Sequence, residues 1–444
     1  MKIMRSMSLL SFLCCFAVGV AICQQRPPAI PLITHDPYFS VWSTSDKLAD
    51  SEVVHWTISP QPIDGVARID GKPYRFMGRG PGRRPEVVPA MQQIASSVTP
   101  THTRYEFQKD GVDLQFTFFT PAIINNIDLV SRPVTYLTWS VKSIDGANHK
   151  VSLMLDVDPV ISVNDRTQQV ELFRHQTARL DVLTAGSHDQ RVLDHSGDQI
   201  RMDWGYFHLA VPKEEGAATV IAPHPLLDFA TAGKLAESDS IDMPQPAGRF
   251  SSHLAVAFDL GSVGADAVQR HILVAYTENY AIQYLQRNLR PYWQRNDMPV
   301  EQLLDEAAEQ YAALEAKGTA FDKDLTADLV KAGGEHYAAI ATLAYRQTLA
   351  AHKIVADLNG DPMMFPKENT SNGCIATVDV IYPSAPFFLF LQPKLLEAQL
   401  LPVLEYSALG RWRFPFSPHD LGQYPLANGQ VYGGGKDRRK PDAG

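Results

Sequence analysis

From residue 24 to about residue 315, apolar and polar side chains mostly alternate, the pattern of strands that bury one face. Residues 104–107 and 112–119 flank Lys109-Asp110-Gly111, with Tyr105 and Phe107 on one arm and Leu114, Phe116 and Phe118 on the other. A hairpin is predicted here, because Asp-Gly accepts the positive φ that a tight turn demands. Residues 134–143 and 150–157 around Asp145-Gly146 predict a second hairpin, and 199–211, 253–260 and 270–277 further strands. Antiparallel strands at this spacing point to a β-sandwich. Pro-rich pieces at 26–31 and 78–89 read as loops around an initial segment.

The period then lengthens. Residues 279–293 carry helical spacing, and 300–316 place Leu303, Leu304, Ala307, Tyr311 and Leu314 on one face. Helices are predicted again over 322–330 and 336–357, parted by Gly333-Gly334. Another is predicted over 394–409, where Pro402 is expected to kink or split it. The expected fold class is multidomain β plus α, with strands before a boundary at 299–322 and helices after it.

The N-terminus reads as an address. Lys2 and Arg5 precede an apolar stretch over 9–20, and small residues at Ala21 and Cys23 suit cleavage before Gln24. Lipidation at Cys23 is the alternative, disfavoured by the bulk of Ile22. Of the 4 cysteines, Cys14, Cys15 and Cys23 fall in or beside this segment. Cys374 is then left alone without an intrachain partner, which suits a bacterial secreted, periplasmic or cell-surface protein and a small buried thiol. No later run is long and apolar enough for a transmembrane helix. A composition with 45% hydrophobic and 20% charged residues excludes wholesale disorder, and the formal net charge of −9 excludes a nucleic-acid partner.

Familiar motifs are missing or incomplete. Gly78-Arg-Gly80-Pro-Gly82 lacks the last glycine of a dinucleotide fingerprint, and Gly433-Gly-Gly-Lys436 lacks the first glycine of a P-loop. Arg79, Arg83 and Arg84 form a small basic patch without aromatics and read as a solvated loop. The 14 histidines show no His-Glu-x-x-His pair, so neither a metal site nor a cofactor is expected. Polar chemistry gathers instead in residues 365–383 and 410–429. Hydrolysis of an amide or a glycoside needs an acid, a base and a water, or a nucleophile, and carboxylates can supply these. Glu368, Asp379 and Asp420 are the catalytic candidates. His419, Arg411, Trp412, Lys367, Asn369, Asn372, Tyr424 and Asn428 are the candidates for binding a small amide or sugar.

Residues 31–43 (Pro-Leu-Ile-Thr-His-Asp-Pro-Tyr-Phe-Ser-Val-Trp-Ser), 371–387 and 419–432 (His-Asp-Leu-Gly-Gln-Tyr-Pro-Leu-Ala-Asn-Gly-Gln-Val-Tyr) resemble the glutaminase A family of secreted proteins. The resemblance implies a short N-terminal segment, an antiparallel β-sandwich and an (α/α) helical-hairpin toroid similar to six-hairpin glycosidases. It also implies hydrolysis of glutamine to glutamate and ammonia. On this reading residues 1–23 are the signal peptide, 24–85 the N-terminal segment and 86–315 the sandwich. Residues 316–435 are then the beginning of an incomplete toroid, and 436–444 an aberrant polar tail. Too few residues follow Asp322 for six hairpins, so a truncated form, inactive alone, is expected. The competing expectations are a carbohydrate-active hydrolase and a non-catalytic surface-binding module.

Overall fold

The computed structural model describes residues 27–80, 88–248, 251–410 and 412–432. The signal segment with its three cysteines, Arg83, Arg84, Arg411 and the polar tail all lie outside these residues. Two antiparallel sheets dominate the first part of the chain. One has five strands, in the order 218–223, 252–263, 149–157, 63–69, 72–77. The other has nine, in the order 245–246, 169–176, 180–187, 206–212, 268–277, 134–143, 112–119, 102–109, 92–98.

Their packing follows from the alternation. In the strand Val134–Ser143, Leu137, Trp139 and Val141 enter the core shared with Leu153, Leu155 and Phe258 of the smaller sheet. The Trp139 and Phe258 rings lie 5.6 Å apart across it. Val134 and Tyr136 point the other way, as do Leu180 and Val182, and meet Leu303, Leu304 and Ala307 of a helix. The nine-stranded sheet is thus apolar on both faces, one covered by a sheet and the other by a helix.

The Asp110-Gly111 hairpin forms as expected, with φ of 45° and 77° joining Lys109 to Val112. The second expected hairpin does not. Val134–Ser143 belongs to the nine-stranded sheet, while His149–Val157 pairs with the strands 252–263 and 63–69 of the other. Asp145-Gly146 therefore crosses between sheets. Val151, Leu153, Leu155 and Val157 all face the core, so this strand needs a sheet opposite it rather than beside its predecessor. The helix expected over 279–293 is also corrected. Ile282–Tyr284 and Arg287–Leu289 form two short strands around a turn with positive φ at Leu285 and Gln286, which lets Ile282, Tyr284 and Leu289 enter the core.

There are five α-helices among the described residues: α1 (Ile127–Ser131), α2 (Pro225–Ala232), α3 (Val300–Ala350), α4 (Val378–Leu391) and α5 (Pro393–Ala408). Within α3 only Gly334 leaves helical geometry, at φ 81° and ψ −179°, so the expected glycine break is present. The helix expected to run to 357 ends at Ala350, because His352–Ala356 turns into a strand paired with Pro362–Pro366. Pro402 lies inside α5, which continues through it. The hairpin 352–366 and the loop after it carry the chain to the candidate site. Residues 426–427 then return to pair in parallel with 283–284, locking the last described segment against the sandwich.

Candidate functional site

The loop 367–377 and the segment 419–432 lie side by side. Leu421 N–H donates to the Ile375 carbonyl at 2.9 Å, and Ile375 N–H to the Gly422 carbonyl at 3.0 Å. This pairing brings His419 and Asp420 to the first turn of α4, where Asp379 stands. His419 Nδ1 is 2.9 Å from Asp420 Oδ2, and its Nε2 is 3.2 Å from Asp379 Oδ2. The ring therefore bridges two carboxylates of different character. Asp420 is wholly buried and also accepts backbone N–H bonds from Gly422 (2.9 Å), Val431 (2.8 Å) and Tyr432 (3.0 Å). The Asp379 side chain is 66% exposed. Partial burial works against a charged ring, but the carboxylates of Asp420 and Asp379 outweigh it and raise the His419 pKa above its ordinary 6.5.

Glu368 and Cys374 complete this group. Glu368 N–H donates to the Cys374 carbonyl at 2.9 Å, and the Glu368 Oε2 atom is buried without a hydrogen-bond partner. Burial, reinforced by the negative charges of Asp420 and Glu368, pushes the Cys374 thiol far above its ordinary range, so it is a protonated thiol and not a nucleophile. The ligand atoms of Cys374, His419 and Asp420 lie within 4.8 Å of one another and could hold a metal ion. In the geometry observed, His419 and Asp420 are instead bonded to each other.

The remaining candidates are spread around this core. Lys367 is buried, 3.3 Å from Asp198 Oδ1 and 4.4 Å from the Trp56 ring centre, and burial lowers its pKa to about 8. Asn372 accepts from Cys374 N–H at 3.0 Å, holding the loop turn, and Asn369 is exposed. Asn428 accepts from Gln286 N–H at 2.8 Å and donates to Gln283 Oε1 at 2.6 Å, tying its loop to the sandwich. Trp412 and Tyr424, expected among the substrate-binding residues, are both buried. Trp412 packs on Tyr406, Phe414 and Phe416, and Tyr424 on Tyr38 with ring centres 5.2 Å apart. The exposed rings in this loop are Phe414 and Phe416.

A second buried cluster adjoins the first and was not anticipated. Lys353 Nζ lies 2.7 Å from Asp36 Oδ2 and also pairs with Glu278, all three being buried. Burial raises the Glu278 carboxyl to about 7 despite the lysine, whereas for Asp36 the lysine overcomes burial and lowers its pKa. Tyr38 and Tyr424 pack beside this triad, so all three stretches that carry the family resemblance converge in space. Asp36 lies within the first stretch; nothing local marks Glu278, Lys353 or Asp198.

Two sheets face to face, a helix over the outer face and a carboxylate–histidine group on helix-borne loops define a multidomain β-plus-α protein. A family model described as "Glutaminase A six helical-hairpin domain" matches residues 334–440, and models described as domains of unknown function DUF5127 and DUF4964 match 101–328 and 18–81. The chain belongs to this glutaminase A-like family. It is 28% identical to Glutaminase A of Aspergillus oryzae over 92% of this chain and 60% of that one. With a protein named probable glutaminase from Arthroderma benhamiae it shares 24% identity over 94% of this chain and 51% of that one. The chain thus spans between half and two thirds of the length of these relatives. The Slr1438 protein from Synechocystis superposes loosely, with a TM-score of 0.28 and 8% identity over 61% of this chain and 99% of that one. Among the described residues no helix is long and apolar enough to cross a membrane.

Proposed function

We propose that this chain is part of an exported glutaminase-type hydrolase that releases ammonia from glutamine. The observation that carries the reading is His419 held between Asp379 and Asp420, with Glu368 paired to Cys374 on the adjoining loop, in the region matched by the glutaminase A helical-hairpin model. Amide hydrolysis requires a base to take a proton from water and an acid to protonate the departing nitrogen. Glu368, with its buried unpartnered oxygen, is the base, and His419, whose pKa its two carboxylates raise, is the acid. Water adds to the amide carbon, the C–N bond breaks, and ammonia leaves with the His419 proton. Asp420 positions His419, and Asp379 tunes its charge at the solvent edge.

The division into 24–85, 86–315 and 316–435 after a cleaved signal at 1–23 belongs to the same proposal, with N-terminal sequencing of exported protein expected to begin at Gln24. The 444-residue chain is proposed to be inactive alone, since Asp379 is open to solvent. Ammonia release from glutamine, set beside a glycoside panel, tests the reading in two forms. One is this chain itself, and the other is a chimera continued by the part of the Aspergillus oryzae relative that the match leaves uncovered. Turnover of glutamine by the chimera alone, falling by about 10²-fold or more in its Glu368→Gln and His419→Asn variants, supports it. Glycoside hydrolysis without glutamine turnover overturns it.

A further inference from the structure

We infer that Cys374, His419 and Asp420 form a site for a single divalent transition-metal ion of the zinc type. No local spacing marks this set, because Cys374 comes from the loop 367–377 and the other two from the segment paired with it. The pairing sets the free thiol Cys374 opposite Gln423. The Cys374 sulfur, a His419 ring nitrogen and an Asp420 oxygen then lie within 4.8 Å of one another. Cys374 and Asp420 are wholly buried, whereas the His419 side chain is 26% exposed, which leaves an ion a way in. Sulfur, nitrogen and a single carboxylate form a partly soft donor set that favours zinc-type ions over calcium or magnesium.

The distances suit an exchange of protons for an ion. His419 Nδ1 stands 2.9 Å from Asp420 Oδ2. Tetrahedral zinc holds a nitrogen and an oxygen ligand about 3.3 Å apart, so this pair opens by only about 0.4 Å to admit the ion. The protonated Cys374 thiol faces the same carboxylate. On binding, the S–H bond breaks and its proton leaves to solvent. Sulfur, Nδ1 and Oδ2 bond to the ion, and the ring keeps a single proton on Nε2. One thiolate and one carboxylate then meet a charge of 2+, so no net charge is left buried. The outer contacts of such a site are already present. Nε2 lies 3.2 Å from Asp379 Oδ2, the carboxylate-on-histidine arrangement that orients a metal-binding ring. Asp420 Oδ1 accepts from Gly422 and Val431 N–H at 2.9 and 2.8 Å, which fixes the plane of the carboxylate. Three protein ligands leave a fourth position for water. Glu368, whose charge acts on the Cys374 sulfur and whose buried Oε2 has no hydrogen-bond partner, supplies an acceptor beside it. The site goes beyond glutamine hydrolysis, and one consequence alone rests on that reading. An ion on Nδ1 withdraws His419 from its role as acid, so the metal-loaded chain is the resting form.

Cobalt(II) and zinc(II) added to the intact chain, freed of metal beforehand with a chelator, test the site in the absence of glutamine. One equivalent of cobalt is expected to give a near-ultraviolet sulfur-to-cobalt charge-transfer band, and one equivalent of zinc to remove it. Cys374→Ser is expected to lose the band. Cys14, Cys15 and Cys23 are present in both proteins, so the difference isolates Cys374. Asp379→Asn, at an exposed position that leaves all three ligands in place, is expected to keep the band but to weaken zinc binding about 10–100-fold. It carries the test should Cys374→Ser fail to fold. No band in the wild type, an unchanged band in Cys374→Ser, or equal zinc affinity in Asp379→Asn overturns the inference. Failure of the chimera to turn over glutamine bears on the hydrolase reading and leaves these spectra unchanged.

Discussion

At the scale of single residues, charge burial decides most of what is distinctive here. Asp420 orders the segment 419–432 by accepting three backbone N–H groups, so Asp420→Ala orphans them together. A loss of about 3 kcal/mol or more is expected in urea unfolding. Lys353→Met leaves the Asp36 and Glu278 carboxylates buried without their cation, for an expected loss of about 3–5 kcal/mol by the same measurement. Glu278 also gives a pH signature. Its folded pKa is raised from 4.5 to about 7, so its contribution to stability is full below 4.5 and is lost as pH rises through 7. Glu278→Gln should flatten that part of a stability–pH curve.

At the scale of elements, the two Asp-Gly pairs show how far a local signal reaches. At 110–111 both residues adopt positive φ and the strands pair with each other, whereas at 145–146 it is Gly146 that does so, and the chain changes sheets. The dipeptide signals a turn in both places, but the partner of the next strand is fixed by residues far away in sequence. Gly373 shows the reverse case, a local residue required by a distant one. It has φ of 72°, and a side-chain carbon there would stand 2.4 Å from the Asp198 backbone. Gly373→Ala should cost about 1–3 kcal/mol in thermal or urea unfolding and disturb the loop that carries Glu368 and Cys374.

At the scale of the whole molecule, α4 and α5 present a broad apolar surface. Tyr382 and Phe390 are each 84% exposed, and Leu389 and Leu404 are also open. An apolar surface of this kind promotes association. The chain should therefore bind the dye ANS while retaining near-native circular dichroism, and Phe390→Ser with Leu404→Ser should reduce both dye binding and concentration-dependent light scattering. Unchanged dye binding in the double variant would place the apolar surface elsewhere.

The sequence by itself determined the order of β then α, the individual strands with clean alternation, the glycine break in α3 and the segments whose residues meet at the site. All of these rest on short-range periodicity and turn chemistry, which a linear reading contains. Only the tertiary structure decided which sheet each strand joins, that 279–293 is two strands, and that Trp412 and Tyr424 are packed inside. It alone brought His419 between Asp379 and Asp420, Lys353 to Asp36 and Glu278, and His102 between Glu315 and Asp322. These pairings join residues up to several hundred positions apart, and no local period encodes them. They arise because buried apolar faces fix where the backbone runs, and buried charges then persist only where an opposite charge is brought within reach.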